Sequence, residues 1–435
     1  MIARRRHLPR KPTVTLAGIE TVRIDLGTKG FPAVDEPVAL SEVAARGWTL
    51  NDLPPPVMVL RERALAHNLA LMREFCRAWG VDIAPHGKTT MAPQLWCRQL
   101  AAGAWGITAA TVTKARVMRA CGVPRILLAN ELVDPVSIDW VAEQLKDPGF
   151  AFLCYVDSDR GVDILEERLR AVQPERPLSV LVELGYEGGR TGCRTIPEAV
   201  HIAGRVSSSD VLHLAGVAGY EGTIGHDRSP ECLALVLAYL DRLRELTTTM
   251  IDAGSFDGAE RIVLTAGGSA FFDLVVDRLR GPWPGDADVR VVLRSGCYLT
   301  HDSGMYERVS PLPTRDGERG FRPALEIWGS VLSRPEPGLA FLGLGKRDVP
   351  FDFDMPMPQV VRSPGGDARE IAGLLTISEL NDQHAFARVD PELTLEVGDL
   401  VGCGLSHPCT AFDKWRFIPV LDDEDRVVDA IATHF

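Results

Sequence analysis

From about residue 53 the chain settles into short, wholly apolar runs separated by longer stretches with helical periodicity. Eight runs stand out: PVMVL (56–60), VDIAP (81–85), WGITAA (105–110), RILLAN (125–130), FAFLCYV (150–156), SVLVELG (179–185), HLAGVAGY (213–220) and RIVLTAGG (261–268). Amphipathic or alanine-rich segments such as RALAHNLALMREFCRAW and TKARVMRACG lie between most of them. Continuous apolar character marks strands buried on both faces, so this alternation predicts a parallel sheet covered by helices. Eight such units predict an α/β fold closed into a (β/α)8 barrel over residues 51–285, with its chemistry at the C-terminal strand ends.

Beyond residue 285 the pattern changes. VRVVLRSGCYLTHD, PALEIWGSVLS, LAFLGLG, LLTISELNDQHAFARV and RFIPVLDD read as strands broken by turn signals such as SPGGD. Residues 286–435 are therefore expected to form a mostly β second domain, and residues 1–50, with the β-like run TVRIDL, to join it. No internal repeat or low-complexity segment interrupts this division.

Composition narrows the function more than the fold. The 435 residues are 46% hydrophobic, enough for a substantial core. A net charge of −12 argues against nucleic acid or an anionic membrane as the main partner. The basic opening MIARRRHLPRKP is not followed by an apolar h-region, and no uninterrupted apolar stretch is long enough to span a bilayer. A cytoplasmic protein is the expectation. The nine cysteines are scattered, without a CxxC pair, and read mainly as buried reduced thiols.

Candidate chemistry sits where barrel strands end. VDIAPHGKTTMAP (81–93) runs from a strand through His86 and Gly87 to Lys88, placing that lysine at the catalytic rim. A partly desolvated lysine amine can lose its proton and condense with a carbonyl, although a solvated loop lysine is the ordinary alternative. TAGGSA (265–270) ends another strand with Gly267, Gly268 and Ser269, a set that suits either an anion cradle or a tight strand-to-helix turn. In VELGYEGGRTGCR (182–194), Arg190 follows a strand end among glycines and can hydrogen-bond a phenolate or carboxylate. A reactive lysine, an anion cradle and a placed arginine on different strands together suggest pyridoxal phosphate.

On these residues the sequence resembles a known family. PPVMVLRERALAHNL, PHGKTT, VELGYEGGRTG, GVAGYEG, LTAGGSA and SHPCTAFDKW together are similar to the fold-type III pyridoxal phosphate enzymes, in the D-serine dehydratase and D-threonine aldolase branch related to alanine racemase. The resemblance covers about residues 50–420. It implies an alanine racemase-like barrel with a β domain, working as a homodimer. It further implies that Lys88 is the Schiff-base lysine, that Gly267, Gly268 and Ser269 belong to the phosphate site, and that Arg190 and Tyr220 flank the cofactor. Ala84 stands where the family often has an arginine before Pro-His, a departure at the cofactor contacts.

GLSHPCTAFDKW (404–415) holds His407 and Cys409 two positions apart. If the segment is extended, both side chains face one side and can reach one ion. Thiolate and imidazole favour Zn2+ over Mg2+ or Mn2+, and two ligands leave positions open for water or substrate. An isolated H-x-C is otherwise a chance pairing. In the family the dehydratases carry this His-x-Cys zinc pair, whereas D-threonine aldolases have His-x-Asp, so the resemblance points to a dehydratase. His384 in LNDQHAF is a further candidate for catalysis, with Asp382 beside it; His86 and His301 are better read as structural.

The expected activity is β-elimination of water from a D-3-hydroxy amino acid, D-serine foremost, giving a 2-oxo acid and ammonia. The alternatives are a metal-dependent D-3-hydroxy amino acid aldolase, a racemase, and a non-catalytic pyridoxal phosphate-binding protein.

Overall fold

The computed structural model describes residues 22–257 and 261–435. In chain order the first strands are Arg23–Ile24 (β1), Val38–Ala39 (β2), Val57–Arg61 (β3), Asp82–Ile83 (β4), Ile107–Ala109 (β5), Arg125–Glu131 (β6) and Ala151–Val156 (β7). Leu178–Leu184 (β8), Leu212–Gly219 (β9), Ile262–Ala266 (β10) and Val289–Leu293 (β11) follow. Strands β4 to β11 form one parallel sheet in the order β4-β11-β10-β9-β8-β7-β6-β5. The sheet closes on itself: Trp105 N–H donates to the Ile83 carbonyl at 2.7 Å, and Thr108 N–H to that of Pro85 at 2.9 Å. The result is the expected eight-stranded parallel barrel.

Each strand feeds a helix, and the helix starts are written in the sequence. Thr111, Asp134, Ser158, Thr195 and Ser229 each accept a backbone N–H of the first turn that follows, satisfying a donor that the helix cannot. Small and branched side chains, among them Ala84, Leu127, Leu153, Leu181, Ala218, Val263 and Val292, fill the barrel interior with Tyr155. The helices bury their apolar stripes on the outside of the same strands. Among the described residues no helix is long and apolar enough to cross a membrane.

The remaining strands are Leu325–Glu336 (β12), Leu339–Leu342 (β13), Met357–Arg362 (β14), Ala368–Glu370 (β15), Leu375–Leu380 (β16), Ala385–Val389 (β17), Leu400–Gly404 (β18), Phe417–Leu421 (β19) and Val427–Ala432 (β20). They form an antiparallel second domain whose main path runs β15-β14-β18-β12-β13-β17-β16. Ile24, Phe31, Val38, Leu40 and Val43 pack with Trp328, Phe417 and Val427 on this domain.

Two expected assignments exchange places. PVMVL is not a barrel strand: β3 pairs antiparallel with β12 and parallel with β19 in the second domain. The eighth barrel strand is instead β11, which lies beyond the expected boundary at residue 285. The cause is burial. Met58 and Leu60 face the large core shared with the barrel, while Val57 and Val59 face the core beneath the N-terminal segment. A strand buried on both faces looks apolar throughout in either domain.

Candidate active site

At the C-terminal mouth of the barrel lies a cavity of about 310 Å3. Lys88, Arg190, Tyr220, Ser269, His407 and Cys409 all line it, with Gly268. A larger cavity of about 610 Å3 lies between the second domain and the start of the first barrel helix. Its arginines Arg61 and Arg362 are already paired with Glu326 and Asp425, so the smaller cavity carries the unspent chemistry.

Lys88 sits in a short turn, Gly87–Thr89, directly after β4. The turn is pressed against its neighbours: a side chain at Gly87 would come within 2.8 Å of Ile107 and 2.9 Å of the Trp96 indole nitrogen. Glycine is what fits there, so the turn that carries Lys88 can pack this closely. His86 beside it is half-buried, and the desolvation of its ring, then the charges of Lys88 and Arg294, hold its pKa well below the usual imidazole value. It is a neutral ring, and its Nδ1 has no partner.

Arg190 rides on the loop after β8, its guanidinium 4.9 Å from the centre of the Tyr220 ring. The loop is held by Arg194, which donates to the carbonyls of Gly189, Arg190, Thr191 and Gly192. Tyr220 follows β9, and its backbone N–H donates to the Tyr239 hydroxyl, which in turn donates to the Leu184 carbonyl. Burial, then the charge of Glu221, pushes the Tyr220 phenol up to about 12.

The glycine turn departs from expectation. Gly267 and Gly268 donate their N–H groups to the buried carboxylate of Glu221, at 3.1 and 2.6 Å, and so do not offer them to an anion. Gly267 does not line the cavity, whereas Gly268 and Ser269 do. Ser269 Oγ accepts the Cys297 N–H at 3.3 Å, which joins this turn to the one after β11.

Three groups escaped the sequence reading. Arg294 ends β11, buried, and donates to Thr265 Oγ1 at 2.8 Å and the Gly219 carbonyl at 2.6 Å. A charge closing an apolar strand was the available signal. Glu131 and Glu183 meet inside the barrel, where burial, then the charge and hydrogen bond of Glu183, push Glu131 up to about 8. Cys297 faces the cavity from the turn after β11.

His407 and Cys409 reach one cavity wall, but not as residues of an extended strand. Strand β18 ends at Gly404, His407 takes a left-handed conformation (φ 67°), and Cys409 lies in the tight turn Pro408–Thr410. The unusual backbone is held by Asp302, which accepts the His407 N–H at 2.9 Å and those of Gly304 and Tyr306. Asp352 binds His407 Nδ1 on one oxygen and accepts the Thr410 hydroxyl at 2.8 Å on the other. Cys409 Sγ lies 3.4 Å from Thr89 Oγ1. Hydrogen bonds from Cys297 and His407, with the charge of His407, outweigh burial and hold the Cys409 thiol well below its usual value. For His407, burial is outweighed by Cys409 and Asp352, which raise it to about 9.

His384 is not brought to this site. It is exposed in the turn between β16 and β17, outside the cavity lining, where the carbonyls of Asn381 and Asp382 accept the N–H groups of Lys346 and Arg347. Asp382 in the same turn faces Arg347. His301 is buried against Phe321 and Glu307, a packed structural residue.

The cavity fits both groups that the sequence suggested. Tyr155 hydroxyl and His86 Nδ1, buried and without partners, face it beside the Lys88 amine, so its wall is built for a polar occupant. A sulfur and an imidazole nitrogen brought to the same cavity by the second domain match the donor set of a borderline-soft divalent ion.

Two family models match the chain: the N-terminal domain of alanine racemase over residues 60–273 and a putative serine dehydratase domain over 324–421. The chain belongs to the fold-type III pyridoxal phosphate family, in its D-serine dehydratase and D-threonine aldolase branch. Within this family, it is 26% identical over 356 residues to a D-threonine aldolase of Arthrobacter sp., covering 81% of this chain and 85% of that one. The crystal structure of a D-threonine aldolase from Filomicrobium marinum superposes with a TM-score of 0.74 at 24% identity, covering 89% of this chain and 96% of that one. The D-threo-3-hydroxyaspartate dehydratase of Delftia sp. gives 0.70 at 21% identity, covering 89% and 99%. Variants of that dehydratase with a histidine, or a cysteine two residues further on, changed to alanine have also been solved, the cysteine variant in a metal-free form.

Proposed function

We propose that this protein is a D-3-hydroxy amino acid lyase of the D-serine dehydratase type, removing the β-hydroxyl as water and releasing a 2-oxo acid and ammonia. The observation that carries this reading is that Lys88 and the His407–Cys409 pair line one cavity from opposite domains. Lys88 would hold pyridoxal phosphate, with Arg190, Tyr220 and Ser269 around it; when bound, that cofactor supplies an electron sink for charge left at Cα. Lys88 Nζ takes the Cα proton. His407 and Cys409 would hold Zn2+, which supplies Lewis-acid polarisation of the departing hydroxyl. Asp352 engages the imidazole at Nδ1, which would leave Nε2 as the nitrogen available to the ion.

The histidine and cysteine of the Delftia dehydratase, spaced as His407 and Cys409 are, support the metal assignment and elimination. The similarity to the Arthrobacter aldolase supports a second reading, cleavage of Cα–Cβ to glycine and an aldehyde. Purified protein given pyridoxal phosphate and zinc is assayed with D-serine, D-threonine and D-threo-3-hydroxyaspartate, with and without a chelator. Chelator-sensitive 2-oxo acid and ammonia are expected; glycine and aldehyde without 2-oxo acid would replace the dehydratase by the aldolase.

We also propose a homodimer. Phe351, Phe353 and Met355 are 44%, 46% and 36% exposed on the loop that carries Asp352, an apolar rim beside the site. Sedimentation equilibrium is expected to give twice the 47.5 kDa chain mass; a monomer at micromolar concentration would refute it.

A further inference from the structure

We propose that Cys297 is a third protein ligand of the ion held by His407 and Cys409, completing a two-sulfur, one-nitrogen set with one open position. This rests on the metal reading above and goes beyond the histidine–cysteine pair. Cys297 reaches the cavity from the barrel, through the turn Cys297–Leu299, whereas Cys409 comes from the second domain. Their sulfurs are 3.4 Å apart. Two thiolates on a tetrahedral zinc, each at about 2.3 Å, stand about 3.8 Å from each other. A few tenths of an ångström of side-chain movement, on the order of one soft torsion, therefore separates contact from coordination.

The surroundings of Cys297 distinguish it from the other buried thiols. Cys76, Cys121, Cys154, Cys193, Cys232 and Cys403 each lie within an apolar core cluster, as packing cysteines do. Cys297 belongs to none of these clusters. It faces Thr89 Oγ1 at 3.8 Å and the Cys409 sulfur, in a polar cavity. Among the described residues no three histidine, cysteine or carboxylate side chains are already gathered about one point. The ion would draw the set together, Cys297 and the His407–Cys409 pair each giving a proton to solvent as it binds.

Such a set has a chemical consequence. Two thiolates and a neutral imidazole cancel the charge of a divalent ion, so it can sit at a buried domain junction without an uncompensated charge. They also select zinc over the harder Mn2+ and Mg2+. The fourth position stays free for the substrate hydroxyl.

The test counts sulfurs. Protein loaded with Co2+ under reducing conditions is compared as wild type, Cys297→Ser, Cys409→Ser and the core control Cys403→Ser. The sulfur-to-cobalt charge-transfer band is expected to fall by about half in each of the first two variants and to be unchanged in the third. Co2+ binding should weaken by about 10-fold or more in Cys297→Ser. X-ray absorption of the wild-type zinc protein, which needs no variant, should find two sulfur scatterers. One sulfur in the wild type, or a full band in Cys297→Ser, overturns the proposal and leaves the histidine–cysteine site standing. Failure of the wild type to bind either ion overturns the metal reading itself.

Discussion

Inside the barrel, burial and the neighbouring Glu183 carboxylate oppose the ionisation of Glu131. Its pKa is raised from 4.5 to about 8, so the native state holds this proton to higher pH than the unfolded chain. The stability it contributes is therefore full below pH 4.5 and lost as pH rises through about 8. The slope is at most about 1.4 kcal/mol per pH unit. Glu131→Gln keeps a donor and removes the titration, so its melting temperature should gain on the wild type between about pH 5 and about pH 9. Parallel melting curves across that range would show that the proton is not held. Asp352 makes a second residue-scale prediction. Asp352→Asn loses the charge that orients His407, and zinc affinity should drop by about 10- to 100-fold, read by competition with a chromophoric chelator. Unchanged affinity would mean that the imidazole is oriented by packing alone. Lys88 and Arg190 were legible because each follows an apolar run at a predicted strand end. Cys297 was not, since one cysteine among nine acquires meaning only when a distant turn brings Cys409 beside it.

The turn after β10 illustrates what an element can hide. Adjacent glycines there signal close backbone approach, but the sequence does not say what approaches. The answer is Glu221, fully buried, accepting both N–H groups. Glu221→Ala would leave two buried donors unsatisfied, at a cost of about 2–4 kcal/mol in urea unfolding. Glu221→Gln, which retains one acceptor oxygen, should cost less. A loss below about 1 kcal/mol in the alanine variant would indicate that water replaces the carboxylate. The segment from Ser406 to Thr410 hid its shape in a different way. An extended His-Pro-Cys would put both side chains on one side, yet it is a left-handed histidine and a tight turn that bring them to one cavity. That geometry depends on Asp302, more than a hundred residues earlier, and no local pattern encodes it.

At the scale of the whole molecule, eight apolar runs were enough to read a barrel, and the change past residue 285 from alternating strands and helices to strands broken by turn signals was enough to read a second sheet. The error in which strand belongs where has a structural consequence. Because β3 precedes the barrel in sequence but lies between β12 and β19, the second domain is closed by a strand from the opposite end of the chain. Val57, Met58, Val59 and Leu60 are all at most 1% exposed. Arg61 continues the tie, pairing with Glu326 on β12 and with Asp425. A chain starting at Glu62 would retain every barrel strand and every later strand of the second sheet, so a reading that places PVMVL in the barrel predicts an intact second domain. The observed pairing predicts the opposite. Removing β3 exposes the backbone edges of β12 and β19 and opens the core shared by Leu60, Ile327 and Val420. The truncated protein should aggregate or lose near-ultraviolet circular dichroism, and His407 and Cys409 should lose metal affinity because β18 is paired to β12. Adding the peptide 51–61 in trans should restore part of the signal by strand addition. A soluble truncated chain with the melting temperature and zinc content of the full protein would show that β3 only covers the sheet and does not hold it together.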